Sequence, residues 1–276
     1  MIMNSLKAFK KIMIYAILII AAIIFAFPIY IMIITSLKSL PETLLTSSLS
    51  LPTHLDTSGY ITAWNELRSG FIHSFEFTVP AVFLSVILGS IGGFALTKLK
   101  IKGANIIFMF LLFGMFLTYE VILIPLVKFM ATVGLYGNIW SLILTHTAYG
   151  ISITTLIFRN YYTLIPTALI EAGKVDGAST FQIYRKIIIP LSLPAFAVAS
   201  IYQFNSIWNN FLFGLVLGTP NIKPVTVMLN NLNGSVLPIW NTLMAGAALT
   251  AIPTLIIFIL AGKYFVSGML GGSVKG

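Results

Sequence analysis

Glu171-Ala172-Gly173-Lys174-Val175-Asp176-Gly177-Ala178, running on to Ile187-Ile188-Ile189-Pro190, is a polar, charged and helix-capable stretch set between long apolar segments. Groups of that kind are costly inside hydrocarbon, where no water satisfies them. The stretch therefore reads as a soluble elbow held on the cytoplasmic face of a membrane bundle, with the segments on either side forming the bundle.

The composition agrees. Of 276 residues, 58% are hydrophobic and 8% charged, with a mean hydropathy of +0.99. A soluble domain carries roughly a quarter charged residues, so a membrane-embedded chain forming a single bundle over 1–276 is expected. A membrane helix needs about 20 mostly apolar residues. The qualifying segments are Ile12 to Thr35, Phe75 to Leu96, Ala104 to Val127, Ile139 to Phe158, Leu191 to Leu217 and Asn241 to Phe265. The first follows Lys7, Lys10 and Lys11 but is too long for the apolar core of a signal peptide, so it reads as an uncleaved span. The third holds Glu120 and Pro125 near one end; the fifth is interrupted by Gln203, Asn205, Asn209 and Asn210, too polar to face lipid all round.

Charge sets the orientation. With the N-terminus inside, the cytoplasmic basic residues are Lys7, Lys10, Lys11, Lys98, Lys100, Lys102, Arg159, Lys174, Arg185, Lys186, Lys263 and Lys275. The external ones are Lys38, Arg68, Lys128 and Lys223. The positive-inside rule favours this arrangement over its reverse, with both termini cytoplasmic. The net charge of +9 is thereby explained by topology, and nothing clusters as a nucleic-acid face. The external loop 37–74, with Glu42, Asp56 and Glu66, is long enough to form a small cap. A second external loop, Thr219 to Trp240, is rich in Asn and Pro.

The elbow, 159–190, reads as a pair of short helices. Pro166 suits a first-turn position, leading through Ala168 to Ala172. Gly177 permits a sharp bend, and Ser179 with Gln182 has capping-box spacing. Phe181, Tyr184 and Ile188 then share one face, with Arg185 and Lys186 off it. Spacing alone leaves two uses open: knobs seated in a groove of another protein, or a helix lying on lipid headgroups.

The run also resembles the signature loop of ABC importer permeases, written EAA, three residues, G, nine residues, I-x-L-P. Glu171, Ala172, Gly177, Ile187 and Pro190 fall at pattern positions; Gly173 replaces the third Ala position and Ile189 the Leu. Further elements resemble the carbohydrate branch in order along the chain. They are Phe27-Pro28 to Ser36-Leu37-Lys38, Gly93 to Gly103, Glu120 to Leu126 with Gly134-Leu135-Tyr136, Trp208-Asn209-Asn210-Phe211, and the tail from Gly268 to Val274-Lys275-Gly276.

The resemblance implies an all-α membrane protein with six transmembrane helices, the type I ABC importer permease fold with cytoplasmic coupling helices. It also implies partners: a second, related permease, a dimer of ABC ATPase subunits that binds ATP and Mg, and an external solute-binding protein that delivers a sugar. Glu171, Ala172, Asp176, Gly177, Phe181, Tyr184 and Pro190 would couple this chain to the ATPase. Related permeases carry polyols and sugar phosphates with the same loop.

No catalytic constellation accompanies these features. There is no G-x-x-x-x-G-K-[ST] phosphate loop and no H-E-x-x-H; His54, His73 and His146 have no metal-ligand spacing. The chain is thus expected to hold no cofactor or metal. Glu120 is the acid well inside a span, either functional or solvated at the outer interface because its span ends just beyond Pro125. Sugar recognition needs hydrogen-bonding groups and aromatic faces. Asn205, Trp208, Asn209 and Asn210 offer both, with Tyr119 and Tyr149 as neighbours; the same Asn side chains could instead bridge helices between permeases. An ATP-independent secondary transporter would need intramembrane coupling groups and inverted repeats; Glu120 alone is thin support for one, and no repeat is visible.

Overall fold

The computed structural model describes residues 2–232 and 239–270. The Val274-Lys275-Gly276 ending, and residues 233–238 of the second external loop, lie outside them. In chain order the helices are α1 (Ile2–Ser36), α2 (Leu40–Leu45), α3 (Ser58–Lys98), α4 (Ala104–Met115), α5 (Tyr119–Thr132), α6 (Ile139–Thr163) and α7 (Thr167–Val175). There follow α8 (Thr180–Ile183), a π-helical turn (Tyr184–Ile188), α9 (Ile189–Leu191), α10 (Leu193–Trp208), α11 (Leu212–Leu217), α12 (Val225–Asn231) and α13 (Trp240–Leu270).

Among the described residues, Phe9–Ser36, Ser58–Lys98, Ile139–Thr163 and Trp240–Leu260 are each long and apolar enough to cross a membrane, giving four candidate spans, or up to six if each of two bent pairs is one span. One pair, α4 with α5, is bent by 97°; the other, Thr180–Leu191 with α10, by 76°. The third apolar segment is therefore not the straight helix its hydropathy suggests. Phe116 closes α4 with a tight turn onto the Phe113 and Gly114 carbonyls, and Thr118 is extended, so the chain changes direction before α5 begins. The second bend lies at Ser192, whose hydroxyl and N–H both return to the Ile188 and Ile189 carbonyls. Pro190 and Pro194 flank it, and neither can donate to a continuing α ladder.

The chain forms two compact units, 1–67 with 229–251 and 68–228 with 252–276. In the first, the segment after α1 is more helical than its sequence suggests. Residues 37–57 form the connection, and α3 has already begun at Ser58. The reason is a buried stripe at helical spacing (Ala63, Leu67, Phe71, Ser74 and Thr78) that precedes and enters the apolar run. Lys38 organises the connection. Its side chain is 1% exposed, and Nζ donates to Thr46 Oγ1 (3.2 Å), the Ser47 carbonyl (2.8 Å) and Ser50 Oγ (2.9 Å). Those contacts use the full donor capacity of an ammonium. Ser39 caps α2, and Glu42 accepts the Thr53 N–H at 2.7 Å, the main cause holding its carboxyl below the usual range.

In the second unit α3 and α6 pack closely at the small residues Gly89 and Gly93. A Cβ at Gly93 would lie 2.8 Å from Phe158 Cβ and 3.0 Å from the Arg159 nitrogen; one at Gly89 would meet Thr154. The unit has two apolar cores. One, with Phe94, Phe158, Ile170, Ile183 and Ile188, fastens the elbow to the ends of α3 and α6. The other, with Phe77, Leu142, Ile207, Phe213 and Leu217, joins α3, α6, α10 and α11.

Candidate functional site

The elbow is built by local rules and packed against the helices behind it. Pro166 precedes α7 in an extended conformation. At the other end the Ala178 N–H bonds the Gly173 carbonyl (2.9 Å) and the Gly177 N–H that of Lys174 (3.1 Å), with Gly177 at φ +77°. That is a Schellman stop, which needs a left-handed residue at this position. The capping box is present: the Gln182 N–H donates to Ser179 Oγ (3.3 Å) and the Ser179 N–H to Gln182 Oε1 (2.7 Å). Gly173, the departure from the third Ala, is buried, and a Cβ there would lie 3.2 Å from Ile187 Cδ1 and 3.3 Å from Ile183 Cγ1. The α7–α8 corner is closed by that contact.

The apolar face read from spacing is divided. Phe181 is 67% exposed, whereas Ile183, Tyr184 and Ile188 are buried. The reason is that Ile183, Tyr184 and Ile188 pack on the bundle, the last two across a π turn in which the Ile189 N–H reaches the Tyr184 carbonyl. The Tyr184 hydroxyl lies 2.8 Å from Ser90 Oγ, which is 2.6 Å from the Tyr162 hydroxyl. Tyr184 therefore faces the bundle. Glu171, Ala172, Asp176, Gly177 and Pro190 are exposed, together with Leu169, Val175 and Lys174. Lys98 Nζ, donating to the Ile165 carbonyl (2.6 Å), and Tyr161, donating to that of Leu191 (3.0 Å), tie both ends of the elbow to the helices.

A cavity of about 380 Å³ opens where α5 begins. Glu120 and Tyr119 line it from the first turn of α5, His146 and Tyr149 from α6, and Gln203 and Ser206 from α10. Tyr119 meets Tyr149 at 5.1 Å and Phe213 at 4.9 Å between ring centroids. The imidazole of His146 stacks on Phe77 (5.6 Å, 11°) and stands edge-on to Phe213 (5.3 Å). Gln203 Nε2 donates to Ser85 Oγ at 3.0 Å, across a space that Gly150 leaves open, since a Cβ there would strike the Gln203 amide. Glu120 does not end a span: α5 continues past Pro125 to Thr132, so the carboxylate stands at the start of a helix, where it is electrostatically favoured.

The other polar residues of the fifth segment are placed differently. Trp208 is 1% exposed and packed on Phe75 (4.8 Å) and Phe204 (5.4 Å). Asn210 is buried, and its Oδ1 accepts the Phe213 N–H (3.0 Å), capping α11. Asn205 and Asn209 are exposed and bonded to each other at 3.0 Å. None of the four lines the cavity; α10 presents Tyr202, Gln203 and Ser206 to it instead. Composition marks α10 as polar without saying which face is turned inward. His146 and Gln203 were visible as isolated polar residues in spans, and only the packing shows that they converge.

Comparison with known proteins agrees with this architecture. Residues 81–271 match the family described as binding-protein-dependent transport system inner membrane component. The probable ABC transporter permease protein PH1216 of Pyrococcus horikoshii is 55% identical over 165 residues, which is 59% of this chain and 60% of that relative, so the matched region spans less than two thirds of its length. The glucose import system permease protein GlcU of Saccharolobus solfataricus is 30% identical over 272 residues, 95% of each chain. A chain in the crystal structure of a bacterial ABC transporter involved in the import of the acidic polysaccharide alginate superposes with a TM-score of 0.79 at 25% identity, covering 92% of this chain and 96% of that one. The elbow, the broken spans and the match over 81–271 have one explanation: the chain belongs to the binding-protein-dependent transport system inner membrane components, the membrane permeases of ABC importers, and has their type I fold.

Proposed function

We propose that this chain is one permease of a sugar importer, forming half of the translocation path together with a second, related permease. An external solute-binding protein delivers the sugar, and a dimer of ATPase subunits, which holds ATP and Mg, drives the cycle. This chain performs no reaction itself. The observation that carries the proposal is the elbow, a capped, closed corner with an exposed apolar and charged surface, fastened at both ends to the bundle. A rigid body of that kind passes a push from a partner to the helices behind it; a floppy loop would absorb it.

In this reading Phe181 and Val175 are the knobs that enter the ATPase. Glu171, Ala172, Asp176 and Pro190 frame the contact, Gly177 sets the angle between α7 and α8, and Tyr184 anchors the corner from behind. The sugar assignment is supported by the names of the relatives, GlcU among them. The protein lies in the cell membrane among lipids, with both termini cytoplasmic. Purification of the tagged chain in mild detergent tests the proposal. Recovery of a second permease and an ATPase, with sugar-stimulated ATP hydrolysis once the binding protein is added, is the expected outcome. Reproducible recovery of the folded chain alone would refute it.

A further inference from the structure

We infer that residues 37–56, the connection between α1 and α3, lie in the outer headgroup and acyl boundary of the bilayer, with their leucines seated in lipid and their charges held by bonds within the protein. The inference needs a membrane but neither a sugar nor an ATPase, so it goes beyond the function proposed above. Its starting point is an inverted polarity. Leu44, Leu45, Leu49, Leu51 and Leu55 are 52–84% exposed, whereas Lys38 is buried and Glu42 and Asp56 are half-buried. An exposed apolar patch over a buried charge is the wrong way round for a loop in water. It is the required way round in lipid, where each polar group must be satisfied internally. The Lys38 ammonium places its donors on Thr46, Ser47 and Ser50. Glu42 accepts the Thr53 N–H, and Asp56 Oδ1 accepts the Ser58 N–H at 2.7 Å. The Asp56 N–H closes the segment on the Leu37 carbonyl at 2.9 Å. The exposed polar side chains that remain are the hydroxyls of Ser47, Ser48 and Thr53 and the His54 imidazole, which suit the headgroup layer.

Depth is a second, independent observation. The Tyr30 hydroxyl donates to the Leu49 carbonyl at 3.3 Å, so the segment folds back beside α1 instead of standing off its end. Tyr30 precedes Ser36, the last residue of α1, by about 9 Å along the helix axis. Counted from Lys11 at about 1.5 Å per residue, a hydrocarbon core of about 30 Å ends near Ile31. Tyr30 and Leu49 therefore stand at its edge, the level at which tyrosine is favoured. Phe27 and Ile33, one turn to either side of Tyr30, are exposed too, so the apolar surface of the span runs up to the segment. No lysine or arginine is exposed between 37 and 56. Buried apolar area, and not attraction to anionic lipid, is what holds the segment down.

The test uses the full chain with the partners that co-purify with it, in phosphatidylcholine nanodiscs. The chain contains no cysteine, so Leu45→Cys and Leu51→Cys each introduce a single thiol into it for a fluorescent label, with the unaltered complex as background. Both positions are exposed, so neither change disturbs a core. Brominated phosphatidylcholine should quench each label at least twofold. Aqueous iodide should quench each at least threefold less efficiently than it quenches the same dye on glutathione. Neither result should change when phosphatidylglycerol is added or the salt raised. Iodide quenching at the glutathione level, with none from brominated lipid, would put the segment in water and overturn the inference. Protection from both quenchers would put it beneath another subunit and overturn it equally, as would lipid quenching that appears only with phosphatidylglycerol. Each of these failures leaves the importer reading standing, because recovery of the permease and ATPase partners decides that separately.

Discussion

Gly177 and Ser90 show how single atoms set the elbow. At Gly177 an added Cβ would meet nothing within 4 Å, yet φ is +77°. The position needs glycine for its backbone and not for space. An L-residue held in that region costs about 1–2 kcal/mol, less for Asn or Asp and more when β-branched. Gly177→Val should therefore open the α7–α8 corner, lowering sugar transport by the assembled complex at least tenfold while insertion and yield stay the same. Gly177→Asn should lose much less. Gly177→Asp pays the smaller backbone cost but sets a second carboxylate beside Asp176, and it should uncouple ATP hydrolysis from uptake. Normal uptake in the Val variant would remove the turn from the mechanism. Ser90 gives a different contrast. Tyr184→Phe removes one hydroxyl and leaves Ser90 paired with Tyr162, a loss of about 1 kcal/mol. Ser90→Ala strands the buried Tyr184 hydroxyl, so it should lower the melting temperature in detergent more than Tyr184→Phe does. The reverse order would show that the hydroxyl pairing does not hold the corner.

Among the elements, the seam between α3 and α6 is the most demanding. Gly93→Ala would force the Phe158 and Arg159 backbone away, because that Cβ comes within 2.8–3.0 Å of groups with no freedom to turn aside. A cost of about 1–3 kcal/mol is expected for overpacking of this kind, read as a fall in melting temperature. Gly114→Ala, in α4, meets only Ser152 Oγ at 4.0 Å and should be neutral or slightly stabilising. Equal melting of the two variants would mean the seam is not tightly packed. The capping box could be read in advance because spacing along one helix encodes it. The six apolar runs were legible for the same reason. The break at Phe116–Thr118 was not, because Phe116-Leu117-Thr118 carries no Pro or Gly to announce it. The early start of α3 was missed because its first turns are polar outside and apolar only along one stripe. The division between Phe181 and Tyr184 depends on a π turn, and no periodicity assumed in advance contains one. The cavity gathers Glu120, His146 and Gln203 from α5, α6 and α10, and that convergence exists only after packing.

At the scale of the whole molecule, the distribution of charge decides which solution the elbow meets, and hence whether it can reach an ATPase at all. α6 provides the ruler. Its 25 residues rise about 37 Å, enough to cross a hydrocarbon core of about 30 Å. The turn at 133–138 precedes it, with Tyr136 exposed, and the elbow follows it, with Ser179 exposed. Arg159, Lys174, Arg185 and Lys186 belong to the elbow end, against Lys128 at the other. By the positive-inside rule the richer end is expected in the cytoplasm. Because the chain lacks cysteine, the expectation can be checked with single thiols and a membrane-impermeant maleimide. Tyr136→Cys should react in intact cells, and Ser179→Cys only after the membrane is opened or inverted. The opposite pattern would put the elbow outside, beyond the reach of cytoplasmic ATP, and the coupling role proposed for Glu171, Gly177 and Phe181 would fall with it. Agreement would tie the two arguments together, since the charges that orient the chain are then the ones that frame the surface offered to the motor.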